Sequence, residues 1–248
     1  LFVFPSCGDE STAIGACLYG YRLLSKRKGI DFKPAPLKDI YFGQEFSENE
    51  IKSTLEKYND KINFRKIKNI NQFVADKLAQ GEVVARCSGK MEFGARALGN
   101  RSILGHPNAR HVVTEINEAI KQRDFWMPFA CTIMAEHEKE YIINPKNISS
   151  EYMILTFKTT PRAVKQLING MHNYDFTCRP QIVSKSSNPD YHDILKRFHK
   201  KTGIGGILNT SLNIHGDPMV CSPEDAIDTL LRSGLKNLVI ENYFITKK

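Results

Sequence analysis

Short apolar runs alternate irregularly with amphipathic helical stretches along most of this chain of 248 residues. This interleaving limits the fold more than any other feature. Val83-Val84-Ala85 is a buried strand by pattern, and residues 62–66, 129–134, 152–157, 181–184, 207–208, 238–240 and 243–245 are further strand candidates. Helical spacing marks 71–80, 108–120 (Val112, Val113, Ile116 and Ile120 on one face) and 190–201 (Tyr191, Ile194, Leu195 and Phe198), the last stopped at Gly203. Ser47-x-x-Glu50 is a capping box opening a helix to about residue 58, and Ser222-Pro223-Glu224-Asp225 opens another. Strands and helices mixed in this way predict an α/β fold built on a mixed sheet.

The N-terminal stretch reads differently. Residues 1–4 suggest a strand, and 10–27 a helix in which Ala13, Gly15, Ala16 and Gly20 are small enough for close approach by another element. One strand and one helix have too little around them to make a core. The stretch therefore reads as the end of a domain whose body lies outside this chain, followed by a linker at 29–36 with Pro34 and Pro36. No apolar run reaches the roughly 18 residues of a membrane span. The six cysteines (7, 17, 87, 131, 178 and 221) are scattered singly, which predicts a reducing compartment without a disulfide framework or a zinc site. The seven histidines show no metal-ligand spacing.

Charge is unevenly placed. Lys and Arg number 35 against 27 Asp and Glu, a net +8. Residues 1–60 are near neutral, so the basic excess belongs to 61–248, and an anionic partner would be met there. Four polar clusters stand out against apolar surroundings. The segment 89–102 combines three glycines with Glu92, Arg96 and Arg101, types that suit an anion site or a structural loop. It is neither a P-loop nor a dinucleotide fingerprint. Lys121-Gln122-Arg123 closes a helix, where basic residues also serve simply to offset the dipole. Cys178-Arg179-Pro180-Gln181 enters a strand. Asn209-Thr210-Ser211-Leu212-Asn213 follows a strand with more hydrogen-bonding side chains than an ordinary turn requires.

In this order the clusters resemble the O-carbamoyltransferases of the NodU/TobZ/CmcH type. The matching stretches are GKMEFGARALGNRSIL (89–104), INEAIKQRDFWMPFA (116–130), RPQIV (179–183), TGIGGILNTSLNIHGDPMV (202–220) and CSPEDAIDTLLRSGL (221–235). FPSCGDESTAIGA (4–16) is similar to the last part of the family's N-terminal domain. The resemblance implies two units. Residues 1–35 would be the remnant of an ASKHA-like carbamoyl-transfer domain plus linker. Residues 36–248 would be a YrdC-like domain, a twisted mixed sheet with flanking helices.

It also implies chemistry. ATP with Mg2+ and carbamoyl phosphate would give carbamoyl adenylate in the YrdC-like domain. The N-terminal domain, holding Fe2+ or a similar divalent metal, would pass the carbamoyl group to an acceptor hydroxyl. The family's Lys-x-Arg and Ser-x-Asn signature falls on Lys121, Arg123, Ser211 and Asn213, the expected catalytic set. Glu92, Arg96, Arg101, Arg179, Asn209 and Thr210 are the expected contacts to ATP or carbamoyl phosphate. Asp9 matches the metal-ligating aspartate, whose partner ligands lie outside this chain. Three features depart from the family pattern: Ala95 for Pro, Met127 for Arg, and the loop 172–177, which lacks the family's glycine. The resemblance implies a cytoplasmic protein with no membrane or nucleic-acid partner, and leaves a homodimer open. The alternatives are a threonylcarbamoyl-adenylate synthase for tRNA modification and a non-catalytic RNA-binding module.

Overall fold

Local signals set most of the element boundaries. Ser47 accepts the Glu50 N–H while the Glu50 carboxylate accepts the Ser47 N–H, and Ser222 and Asp225 repeat the arrangement. Asn69, Thr160 and Asn188 cap three further helices with their side-chain oxygens. Gly203 takes the left-handed conformation that ends a helix, at φ 71°.

The computed structural model describes residues 3–35, 37–122 and 127–248. In chain order the elements are α1 (Glu10–Lys28), α2 (Glu48–Lys57), β1 (Ile62–Lys66), α3 (Ile70–Ala79), β2 (Val84–Cys87), β3 (Arg101–Gly105), α4 (Arg110–Ile116), β4 (Ala130–Met134), α5 (Glu138–Tyr141), β5 (Ile142–Ile143), β6 (Lys158–Thr159), α6 (Pro161–Gln166), β7 (Gln181–Val183), α7 (Pro189–Thr202), β8 (Gly206–Ser211), α8 (Pro223–Arg232), β9 (Leu238–Ile240) and β10 (Tyr243–Lys247). Among the described residues, eight strands form one sheet in the order β1-β10-β9-β2-β3-β8-β4-β7. The pairs β2–β9 and β4–β7 are parallel and the other five antiparallel, so the predicted mixed α/β class holds.

Helices cover both faces. Val74 and Leu78 of α3 pack with Ile194, Leu195 and Phe198 of α7 in one core, and Ile51 and Leu55 of α2, Ile116 of α4 and Ile227 and Leu230 of α8 build the other. Strand β2 feeds both, Val84 to the first core and Ala85 and Cys87 to the second, as the two-residue period of a strand requires. A covered sheet of this kind leaves its strand ends and connecting loops to carry chemistry.

Three expectations need correction. Residues 152–157 do not form a strand. Met153 is left-handed at φ 55°, and Tyr152 and Met153 pack with Ile40, Leu98 and Ala130 in a small third cluster. Val3 and Phe4 join no strand, Leu1 and Phe2 lying outside the described residues. The strand ending near residue 208 instead runs on to Ser211, placing Asn209 and Thr210 inside the sheet. Helix α1 forms as expected and exposes Leu18, Tyr19 and Leu24.

Two histidines make this fold acid-sensitive. Desolvation, and then the neighbouring His137 ring at 4.2 Å between centroids, holds His199 below the ordinary imidazole value. Desolvation followed by His111 does the same for His106. The folded state favours the neutral rings, so the unfolded chain protonates first. Their contribution to stability is complete above about pH 6.5 and is lost as the pH falls from there through the depressed folded values. The urea midpoint is therefore expected to drop between about pH 7.5 and about pH 5.5, and His199→Gln to remove part of that drop. A drop of unchanged size in the variant would show that His199 is not its source.

Candidate functional site

Helix α4 does not continue regularly to residue 120. After Ile116 the backbone widens into one π-helical turn, Asn117–Lys121, in which the Gln122 N–H donates to Asn117 O at 2.8 Å and Gln122 is left-handed at φ 45°. Turns of this type occur often at functional sites because they re-aim the side chains that follow. Lys121 leaves the turn inward and is only 1% exposed. Its ammonium donates to Ser211 Oγ at 3.1 Å, to Asn213 O at 3.1 Å and to Asn213 Oδ1 at 2.6 Å. Ser211 Oγ also donates to Asn213 Oδ1 at 2.6 Å, and Asn213 Nδ2 donates to Asp217 O at 2.7 Å.

Three of the four expected catalytic residues, Lys121 with Ser211 and Asn213 at 90 and 92 positions further along the chain, thus form one hydrogen-bonded cluster. The fourth, Arg123, lies outside the described residues. The Asn213 segment is held in place from both sides. His215 N–H donates to Ile120 O, Leu212 N–H to Arg101 O, and Val220 N–H to Leu212 O. A buried ammonium held in part by a hydroxyl and a side-chain amide can exchange either for the oxygen of an anion.

The glycine-rich segment is built around two buried charges. Glu92 is 3% exposed, and its Oε1 accepts the N–H groups of Leu98 at 2.5 Å, Asn100 at 3.1 Å and Arg101 at 3.2 Å. Arg101 is 1% exposed and donates to the carbonyls of Gln44, Ser88, Gly89, Asn100 and Cys221 at 2.9–3.3 Å. Both were expected to meet substrate. In this structure each holds backbone instead, Glu92 the turn at 98–101 and Arg101 four separate stretches of chain. Gly99 has φ 110°, and a Cβ there would lie 2.3 Å from the Tyr191 ring, so this position accepts only glycine.

Asn209 is equally committed to the scaffold. Its Nδ2 donates to Ala97 O, Thr132 Oγ1 and Gln181 Oε1, and its buried Oδ1 has no partner among the described residues. Thr132 Oγ1 donates to Gln181 Oε1 at 3.0 Å and receives the Tyr191 hydroxyl at 2.9 Å. Burial pushes the Tyr191 phenol far above its ordinary value, so it stays a donor. Gln181 Nε2 and the Tyr41 hydroxyl both donate to Leu98 O. Thr210 is buried and pairs with Ile103 in the ladder. Burial also pushes the Cys87 thiol up to about 11, which makes it a poor nucleophile at neutral pH.

Arg96 and Arg179 meet elsewhere. They line a cavity of about 330 Å³ with Ser6, Glu10 and Met153, and none of its lining residues belongs to the Lys121 cluster. Asp9 is exposed at the start of α1. No group of three or more His, Cys, Asp or Glu side chains able to hold a metal occurs among the described residues. Among the described residues no helix is long and apolar enough to cross a membrane.

Arg86 and Thr132 carry no expected role, while Gln181 was expected only within the 178–181 cluster and Tyr191 only on the apolar face of the helix at 190–201. Their signal was polarity at strand positions flanked by apolar residues, or, for Tyr191, a hydroxyl on the buried face of a helix.

Comparison with known proteins bears on this arrangement directly. Residues 75–247, which hold every residue of the Lys121 cluster, match the family model described as Carbamoyltransferase C-terminus. The chain belongs to the carbamoyltransferase C-terminal family. Nodulation protein NolO of Bradyrhizobium diazoefficiens is 32% identical over the whole chain and 45% of its own length. The 3'-hydroxymethylcephem-O-carbamoyltransferase of Amycolatopsis lactamdurans is 26% identical over 97% of the chain and 42% of its own length. The chain thus spans less than half the length of these relatives. Two solved structures share the fold at a TM-score of 0.50, each over 70% of this chain. Full-length HypF in its phosphate- and nucleotide-bound form is 16% identical and covered over 25% of its chain; E. coli YciO is 17% identical and covered over 77%.

The two arginines of the glycine-rich segment should separate by measurement. Arg101→Met would orphan five carbonyls and is expected to cost about 3–5 kcal/mol of stability in urea denaturation. Arg96→Met, at an exposed position, is expected to change stability by no more than about 0.5 kcal/mol. Equal losses in the two variants would overturn the assignment of Arg101 to the scaffold.

Proposed function

We propose that this chain is the C-terminal part of an O-carbamoyltransferase and that the Lys121 cluster forms carbamoyl adenylate from ATP and carbamoyl phosphate, for transfer to an acceptor hydroxyl. One observation carries the reading. A buried ammonium is held between Ser211 and Asn213 within the matched family segment. The relative named as a cephem O-carbamoyltransferase supports the reaction class, and the nucleotide- and phosphate-bound state of HypF is compatible with it.

The chemistry asks for what the cluster offers. Adenylate formation joins an oxygen of the carbamoyl donor to the α-phosphorus of ATP and expels pyrophosphate. Carbamoyl phosphate can present that oxygen only after water has taken its phosphoryl group and left carbamate, whose oxygen then attacks the α-phosphorus, so both phosphate and pyrophosphate are products. Phosphoryl transfer is governed by positioning and by neutralising charge that spreads over oxygens. Lys121 supplies three N–H donors in a buried, low-dielectric setting where each counts for more than in water. Ser211 and Asn213 supply a hydroxyl and an amide to orient the oxygens Lys121 receives. Arg123 is the second cation of this reading, and Arg96 and Arg179 are proposed to hold a further anionic group at the separate cavity they line. ATP enters with Mg2+ as its own counter-ion.

The test is pyrophosphate release from ATP in the presence of carbamoyl phosphate. Lys121→Ala is expected to lower it by about 10²-fold or more, the scale for losing one donor to developing charge. Asn213→Ala, which removes the side chain that positions the ammonium, is expected to lower it by a smaller factor. Undiminished release by folded Lys121→Ala protein would overturn the assignment.

A further inference from the structure

A cavity of about 280 Å³ opens at the C-terminal end of strand β2, between the start of α3 and the turn joining β9 to β10. None of its lining residues belongs to the Lys121 cluster or to the Arg96–Arg179 cavity. Its floor is formed by Arg86 and Ser88, two residues apart on one strand direction and only 4% and 6% exposed. Arg86 Nη1 donates to Gly99 O at 2.5 Å and to Asn100 Oδ1 at 2.9 Å, which fixes the guanidinium. Among the described residues its Nε and Nη2 have no hydrogen-bond acceptor, and no carboxylate lies within ion-pairing distance of it. The Ser88 hydroxyl likewise has no partner there. A buried guanidinium retained without a counter-ion is costly unless something anionic reaches it.

The wall opposite supplies more donors. Asn69 caps the ten-residue helix α3 by accepting the Gln72 N–H, which leaves the N–H groups of Ile70 and Asn71 without intrahelical acceptors. Both residues line the cavity, with exposed Lys68 at its edge. Helix N-termini favour anions through these N–H groups and the helix dipole. The two carboxylates of the lining are placed differently. Glu241 Oε1 is taken by the Gly89 N–H at 2.5 Å, and Asp190 is exposed in the first turn of α7.

We propose that this cavity is a second ligand site, which binds a small oxyanion head group, phosphate or carboxylate, between Arg86, Ser88 and the N-terminus of α3. The oxyanion completes the unused edge of the Arg86 fork and accepts from Ser88 and from the Ile70 and Asn71 amides. The glycine-rich segment touches the same guanidinium through Gly99 and Asn100, and Asn188 Nδ2 donates to the same Asn100 Oδ1 at 2.9 Å. An occupied site is thereby joined to the loop through one side chain. The proposal does not depend on the carbamoyl chemistry assigned to Lys121.

Backbone amide spectra, titrated separately with inorganic phosphate and with acetate, test it. Saturable shifts at Ile70, Asn71 and Ser88 are expected with at least one of the two salts, and the salt that saturates identifies the head group. Ser88→Ala should weaken that binding by about tenfold, the worth of a hydrogen bond to a charged group. Arg86→Gln should abolish it, and Lys121→Ala should leave it intact. If Arg86→Gln does not fold, the Ser88→Ala titration decides alone. Absence of saturable shifts with both salts, unchanged affinity in Ser88→Ala, or loss of binding in Lys121→Ala would each overturn the proposal.

Discussion

The Arg101 guanidinium is the tie on which the site end of the sheet depends. It collects main-chain carbonyls from Gln44, Ser88, Gly89, Asn100 and Cys221, which belong to the stretch before α2, the end of β2, both ends of the glycine-rich segment and the start of α8. Carbonyl oxygens at strand ends and in loops have no ladder to satisfy them, and a buried one without a partner is expensive. A single planar fork with five N–H donors answers several of them together, which the ammonium of a lysine could not do. Leu212 then docks on the backbone of this same arginine through its N–H to Arg101 O. The placement of Asn213, and through it of Lys121, follows from that docking.

The buried polar residues of the sheet perform a related task. Thr132, Gln181, Asn209 and Tyr191 are linked by hydrogen bonds across β4, β7, β8 and α7, and they present two donors to the backbone at Ala97 and Leu98. An apolar core of the same volume would be cheaper to bury, but it could not fix a glycine-rich loop in one conformation. The unpartnered Oδ1 of Asn209 and Oε2 of Glu92 are the visible cost of a network arranged around its donors.

Much of this was legible in the sequence, for reasons that differ by residue. The capping boxes at Ser47 and Ser222 and the glycine stop at Gly203 depend on chemistry within a few positions, and a reading of neighbours finds them. The amphipathic helix α7 follows from periodicity alone. The joining of Lys121 to Ser211 and Asn213 depends on tertiary structure, and family resemblance rather than local pattern brought those residues together. Local pattern named no strand at β3, because a strand opening with Arg101 and Ser102 looks like loop until the acceptors of the guanidinium are known. It also missed the π-helical turn, since the apolar spacing of Val112, Ile116 and Ile120 is that of an ordinary helix.

That turn shows why a dipole argument for Lys121 falls short. A lysine at a helix C-terminus normally reaches outward, where its charge meets the last carbonyls and solvent together. Here the extra residue of the π turn carries the backbone past that position, and the ammonium passes to the side chains of β8 and its loop. Burying a charged amine this deeply would lower stability if a dipole were the only compensation, because the dipole effect is worth only about 0.3–1 kcal/mol at a helix end. Among the described residues, three oxygens arranged around Nζ contribute to the compensation, and the Arg101 scaffold holds the segment that carries them. A structure that arranges acceptors around a lysine at this cost gains little from it as a surface charge and a good deal from it as a fixed cation.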